Sequence, residues 1–119
     1  MIEFTVPGRP KPKQRPRMGK GGNVYTPKET RMYELKVGWY ALKAMQGHLK
    51  LTGPVGVEVK LYVKDKRAGD IDNLAKAIMD GMLGVVYNDD RQVRVLRISR
   101  HQDKEERAEV KVWPEVLSE

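Results

Sequence analysis

The 119-residue chain has no cysteine, two histidines and one phenylalanine. Without cysteine it has no disulfide framework, no thiolate metal site and no cysteine nucleophile. His48 and His101 are too few for a zinc site made of histidines alone. Long apolar runs are missing as well. The longest stretch without a charged residue, Gly81–Asn88, is eight residues, against the ~20 that cross a bilayer. Ile2–Val6 is short and runs directly into prolines and basic residues, unlike the apolar core of a secretory leader. These absences set an expectation of one cytoplasmic domain with no membrane partner and no small-molecule cofactor.

Acidic residues are scarce in one region only. Residues 1–31 hold eight Lys/Arg against two acids, a balance of +6, whereas residues 32–119 hold fifteen against fourteen. Nearly all of the net charge of +7 therefore lies in the first quarter. A basic patch concentrated in this way suits a polyanion, chiefly nucleic acid. A solvated basic loop is the plainer alternative.

Periodicity outlines the elements. Ile2–Val6 alternates as a first strand, with Ile2, Phe4 and Val6 on one face. Pro7–Met18 has four prolines and five Lys/Arg, which predicts an extended segment. Gly19–Gly22 reads as a turn and Asn23–Tyr25 as a brief returning strand. Thr26, Pro27 and Glu29 then fit the N-cap, N1 and N3 positions of a capping box. Met32, Leu35, Trp39, Leu42 and Met45 recur at helical spacing, a stripe assigned to the core or to core and interface together, and Gly47 stops that helix. Val55–Val63 is a cleanly alternating strand. A second helix is expected over Ile71–Leu83, burying Leu74, Ala75, Ile78 and Met82, with Gly84 ending it. Gln92–Arg100 reads as a strand whose apolar set changes face between Val95 and Leu96, as a bulge would cause. Ala108–Val112 closes the chain, with Pro114 marking an edge or an end. The order β(β)αβαββ predicts a single α/β (α+β-like) domain over residues 1–119, with two helices on a mixed sheet.

The chemistry concentrates in D-I-D-N-L-A-K-A-I-M-D-G-M-L-G-V-V-Y-N-D-D, residues 70–90. Asp70 and Asp72 flank the helix start, Lys76 lies one turn beyond Asp72, and Asp89 and Asp90 return on a turn. For Asp90 to reach Asp70, the segment after the helix must double back. Three carboxylates without His or Cys make a hard oxygen donor set that selects Mg²⁺ or Mn²⁺. Such an ion acts on phosphodiesters, and a neighbouring lysine stabilises developing charge. Another reading fits the same spacing. Asp70 and Asp72 are good capping and first-turn residues, Lys76 is an ordinary i,i+4 partner of Asp72, and Asp89-Asp90 is a turn. Asp80 reads as a solvated or helix-packing residue.

Taken together, D-I-D-N-L-A-K followed by N-D-D-R-Q-V resembles the signature of the RusA family of Holliday-junction resolvases, small and often phage- or prophage-encoded endodeoxyribonucleases. P-K-P-K-Q-R-P-R and V-Y-T-P-K-E-T-R-M-Y-E are similar to the N-terminal half of phage-type members, so the resemblance covers essentially the whole chain. It implies that Asp70, Asp72 and Asp90 bind Mg²⁺, with Mn²⁺ able to substitute, and that Lys76 is the essential lysine beside them. Asn73 and Asp89 take supporting roles, and Asp80 also matches a recurrent position. It also implies an intertwined two-fold homodimer that nicks opposed strands of a four-way junction in DNA recombination and repair. Lys11, Lys13, Arg15, Arg17, Tyr25, Lys28 and Arg31 in the basic segment, with Lys66 and Arg67, are the expected DNA contacts. The loop before Asp70, K-D-K-R-A-G, departs from the pattern because it carries an acid and no aromatic residue. A DNA-binding module without catalysis, or a nuclease acting on other branched DNA, are the rival functions.

Overall fold

Alternating valines build the centre of the molecule. In the computed structural model, which describes residues 1–115, strand β4 (Val55–Val63) buries Val55, Val57, Val59, Leu61 and Val63 almost completely. Strand β6 (Arg107–Pro114) buries Ala108, Val110 and Val112 beside them. Strand β1 (Ile2–Pro7) pairs antiparallel with β6, and β5 (Val93–Gln102) pairs parallel with β4. The sheet order is β1-β6-β4-β5. β6 is thus an interior strand, and Pro114 is its end, where no further ladder donor is needed. The expected bulge exists but sits at Arg94: Val55 faces Val93 and Gly56 faces Val95, so Arg94 is the extra residue.

Two helices cover one face of the sheet, and the fold is α+β. A parallel neighbour needs a crossover, and α2 (Ile71–Met82) provides it between β4 and β5. It buries Leu74, Ala75, Ala77, Ile78, Gly81 and Met82, and the large apolar residues at i, i+4 and i+8 make it an amphipathic helix. Burial of Leu74, Ile78 and Met82 contributes roughly 1.5–3 kcal/mol each. No helix among the described residues is long and apolar enough to cross a membrane.

Helix α1 (Lys28–Met45) departs from expectation at both its start and its face. Pro27 takes the N-cap position with φ −54° and ψ 145°, and no side chain caps the end. Thr26 therefore makes no capping box with Glu29. The buried face is Thr30, Tyr33, Val37, Ala41 and Met45. Of the expected stripe only Met45 is buried; Met32, Leu35, Trp39 and Leu42 are 58, 69, 55 and 62 % exposed. Both faces are apolar, so periodicity alone could not choose between them. Packing against α2 and β1 selects the face, and α1 and α2 approach most closely at Gly38 and Gly81, beside Val37. A Cβ on Gly81 would lie 2.7 Å from the Val37 Cβ and 2.8 Å from the Glu34 carbonyl oxygen.

Between β1 and α1 the chain is extended, as the prolines require, and then forms a small antiparallel ribbon of β2 (Arg17–Met18) and β3 (Val24–Tyr25). After α2, Gly84 adopts φ 85° and turns the chain back; its N–H donates to the Tyr87 carbonyl at 2.7 Å. Replacing Gly81 by alanine should lower the urea unfolding midpoint, at a cost of about 1–3 kcal/mol from overpacking. An unchanged midpoint would show that the two helices separate freely.

Candidate active site

Asp70 stands at the N-cap of α2 but makes no capping hydrogen bond with its side chain. Its exposed carboxylate is free for other work, so the plain capping reading is not realised. Asp72, also exposed, accepts the Asn73 N–H at 2.9 Å through one oxygen. Both sit where the helix dipole favours negative charge. Just upstream, the Arg100 guanidinium donates to the Gly69 carbonyl, which brings another cation to this end.

Lys76 does not pair with Asp72. Its ammonium donates to Asp80 at 2.8 Å and lies 3.8 Å from an Asp90 oxygen. The Asp80 side chain is 17 % exposed, so water competes less for it than for Asp72. Hydrogen bonding to Asp80 holds the Lys76 ammonium above the usual lysine range. It is a cation at neutral pH, suited to stabilising phosphate charge rather than to accepting a proton.

The two acids of the return turn divide their tasks. Asp89 caps the short turn Asp90–Gln92, accepting the Arg91 N–H at 2.8 Å and pairing with the Arg91 guanidinium at 2.8 Å. Gln92 stitches that turn in place. Its amide oxygen accepts the N–H groups of Asn88 and Asp89 at 2.9 and 3.0 Å, and its amide nitrogen donates to the carbonyls of Leu51 and Gly53 at 2.8 and 3.0 Å. Asp90 is left with no capping duty and faces Lys76. Burial, with Asp90 and Asp80 nearby, pushes the Tyr87 hydroxyl well above its ordinary range.

The donor set has the chemistry of a magnesium site: oxygen ligands only, with Asp70 and Asp90 uncommitted to caps. Among the described residues, however, no three His, Asp or Glu side chains are gathered closely enough to hold an ion. The chain doubles back as expected, but Asp90 docks beside Lys76. That is one helical turn past Asp72, or about 6 Å along the axis.

The basic segment lies across this site. The Lys13 N–H donates to the Asn73 carbonyl at 2.9 Å, and the Gln14 N–H donates to the Thr30 hydroxyl at 3.2 Å. Pro12 abuts Gly69. Lys11, Arg15, Arg17, Tyr25, Lys28, Arg31, Lys66 and Arg67 are all exposed. Lys13 is not free in the same way, since its ammonium is held by Glu34 at 2.8 Å and Asp80 at 3.1 Å. Burial pulls its pKa down, and those two hydrogen bonds more than offset this, leaving it raised. Two half-buried carboxylates hold this cation, so it straps the segment to both helices. Glu34, Asp80, Gln92 and Arg100 were not among the expected site residues. The Lys76–Asp80 spacing and the glutamine of D-D-x-Q-V were signals for two of them; Glu34 and Arg100 arrive by tertiary contact alone.

The family model for the endodeoxyribonuclease RusA matches residues 7–113. The chain belongs to the RusA family. Membership makes it a nuclease, and the matched range contains the basic segment and every acid discussed above. Two curated proteins are also similar. The uncharacterized protein YqaN of Bacillus subtilis (strain 168) is 29 % identical over 137 aligned residues, covering 93 % of this chain and 94 % of that one. The crossover junction endodeoxyribonuclease RusA of Aquifex aeolicus (strain VF5) is 28 % identical over 97 residues, covering 80 % and 76 %.

The arginine beside it holds Asp89 well below the usual carboxylate range, at about 2. A depressed folded-state pKa makes its contribution to stability complete above the ordinary pKa near 4 and lost as pH falls toward 2. Carbon-detected NMR should place the Asp89 carboxyl midpoint near 2. A midpoint near 4 would mean that the Arg91 pairing is not kept in solution.

Proposed function

We propose that this RusA-family nuclease is a Mg²⁺-dependent endodeoxyribonuclease that resolves four-way junctions by paired symmetric nicks, acting as a two-fold homodimer. The reading rests on the placement of Asp70, Asp72 and Lys76 along the first turns of α2, with Asp90 docked 3.8 Å from Lys76 and a basic segment strapped across them. The name of the Aquifex relative supports the junction as substrate.

In this reading Asp70, Asp72 and Asp90 would hold the ion, which supplies Lewis acidity at the scissile phosphodiester. Lys76 remains protonated and stabilises the charge that builds on the phosphate oxygens. Asp89 and Gln92 hold the turn that presents Asp90. Lys11, Arg15 and Arg17, on an extended chain already ordered by proline, contact the DNA backbone with little entropy to lose. Tyr25, Lys28, Arg31, Lys66 and Arg67 widen that surface.

The exposed face of α1 is the surface we assign to the second copy. Met32, Leu35, Trp39 and Leu42 stand on it, and a groove of about 580 Å³ lined by Leu35, Trp39, Leu42, Leu83 and Val85 runs alongside. An apolar patch of this kind on a charged protein marks an interface. A closed two-fold dimer presents the same site twice to a near-two-fold substrate.

The purified protein should cut a synthetic four-way junction symmetrically with Mg²⁺ and spare linear duplex; equal cutting of both would sink junction selectivity. Asp70→Asn should still bind the junction, with the salt dependence of phosphate contacts, but not cut it. Retained cleavage would remove Asp70 from the site. In sedimentation equilibrium the wild type should run at twice the 13.6 kDa chain mass, and the Leu35→Asp/Trp39→Asp double variant at the chain mass. A monomeric wild type would refute the dimer.

A further inference from the structure

Asp80 has the spacing of an ordinary surface partner, but its contacts differ from those of one. One carboxylate oxygen accepts from Lys76 on its own helix at 2.8 Å, and the other lies 3.1 Å from Lys13, which comes from the basic segment. Lys13 in turn reaches Glu34 of α1 at 2.8 Å, and Lys76 reaches toward Asp90 at 3.8 Å. Charges of alternating sign thus run from Glu34 through Lys13, Asp80 and Lys76 to Asp90, joining two helices, the basic segment and the return turn. Exposure is graded along this chain. Asp80 is 17 % exposed, whereas Lys76 is 51 % and Asp90 49 % exposed. The inner acid is screened and the outer pair faces solvent. The backbone at Asp80 is also immobilised, because the next residue, Gly81, is packed directly onto α1.

We propose that Asp80 is a positioning residue: it holds the Lys76 ammonium at a standoff from Asp90 and ties that placement to the seating of the basic segment through Lys13. The proposal rests on the reading of Lys76 as the charge-stabilising group. Without Asp80, the strongest remaining carboxylate near Lys76 is Asp90. The ammonium would close onto it and neutralise an acid needed for the ion. Lys13 would also lose one of its two anchors. Because Lys11 and Arg15 flank Lys13, DNA bound to the segment would act on the same carboxylate that sets Lys76.

The test is steady-state cleavage of a four-way junction with Mg²⁺, run with thermal midpoints for each variant. Asp80→Asn keeps the shape and removes the charge. It should lower kcat by about 10- to 100-fold, the scale of a misplaced reacting group, with KM within about twofold and the midpoint unchanged. Asp80→Glu should recover part of the loss. In a Lys76→Ala background, Asp80→Asn should cost almost nothing more, as expected of residues acting as one unit. Lys13→Gln, which leaves α2 intact and serves if Asp80→Asn folds poorly, should lower kcat less and non-additively with Asp80→Asn. Unchanged kcat in both Asp80→Asn and Lys13→Gln, a loss confined to KM, or losses that add in the Lys76→Ala background would overturn the proposal while leaving the nuclease reading intact. Full activity of Lys76→Ala would instead overturn the reading of Lys76, and the proposal with it.

Discussion

Helices α1 and α2 touch through glycine, and the candidate site is arranged around that contact. At Gly81 there is no room for a methyl group between the helix and the Glu34 carbonyl. The close approach sets Glu34 and Asp80 within reach of one ammonium, and Lys13 fills the position between them. Two carboxylates at that spacing, half removed from water, would repel without a cation. The pairing therefore does two jobs: it relieves the acids, and it fastens an otherwise extended, proline-stiffened segment to the body of the protein.

The fastening explains how a strongly basic stretch and a set of acids coexist on one side of a small molecule. Along the segment the cations alternate in fate. Lys13 turns inward and is neutralised, while its neighbours Lys11 and Arg15 point into solvent. The acids alternate too. Asp89 is spent on its turn and Asp80 on two lysines, which leaves Asp70, Asp72 and Asp90 as the hydrated carboxylates. Paired charges thus stand beside more exposed ones, with Asp90 at 3.8 Å from Lys76.

The same economy appears in the hydrophobic residues. A chain of this size buries a modest core, built here from the alternating valines of β4 and β6 and the inner faces of two helices. Tyr33 of α1 belongs to it, but Trp39 does not. Trp39, Leu35 and Met32 stand outside, away from the sheet, on the surface proposed above for a second copy.

Local chemistry was readable directly from the residues. The strands Ile2–Val6 and Val55–Val63 and the helix from Ile71 with its buried Leu74, Ala75, Ile78 and Met82 follow from periodicity within a few residues, and the D-I-D-N-L-A-K block was legible as a family resemblance. Local patterns failed where two answers scored alike. α1 has two apolar faces, and only its packing against α2 and β1 selects the one with Tyr33, Val37 and Ala41. Asp70 and Asp89 are equally good caps by type, and only the pairing of Arg91 and the anchoring of Gln92 make Asp89 the cap and leave Asp70 free. Lys13 is one cation among many in sequence, and its two partners lie 21 and 67 positions away. Sequence by itself determined which residues are present and which elements carry them. Tertiary structure decided which charges are neutralised and which stay available, because ion pairs depend on distance in space, and helix packing sets that distance.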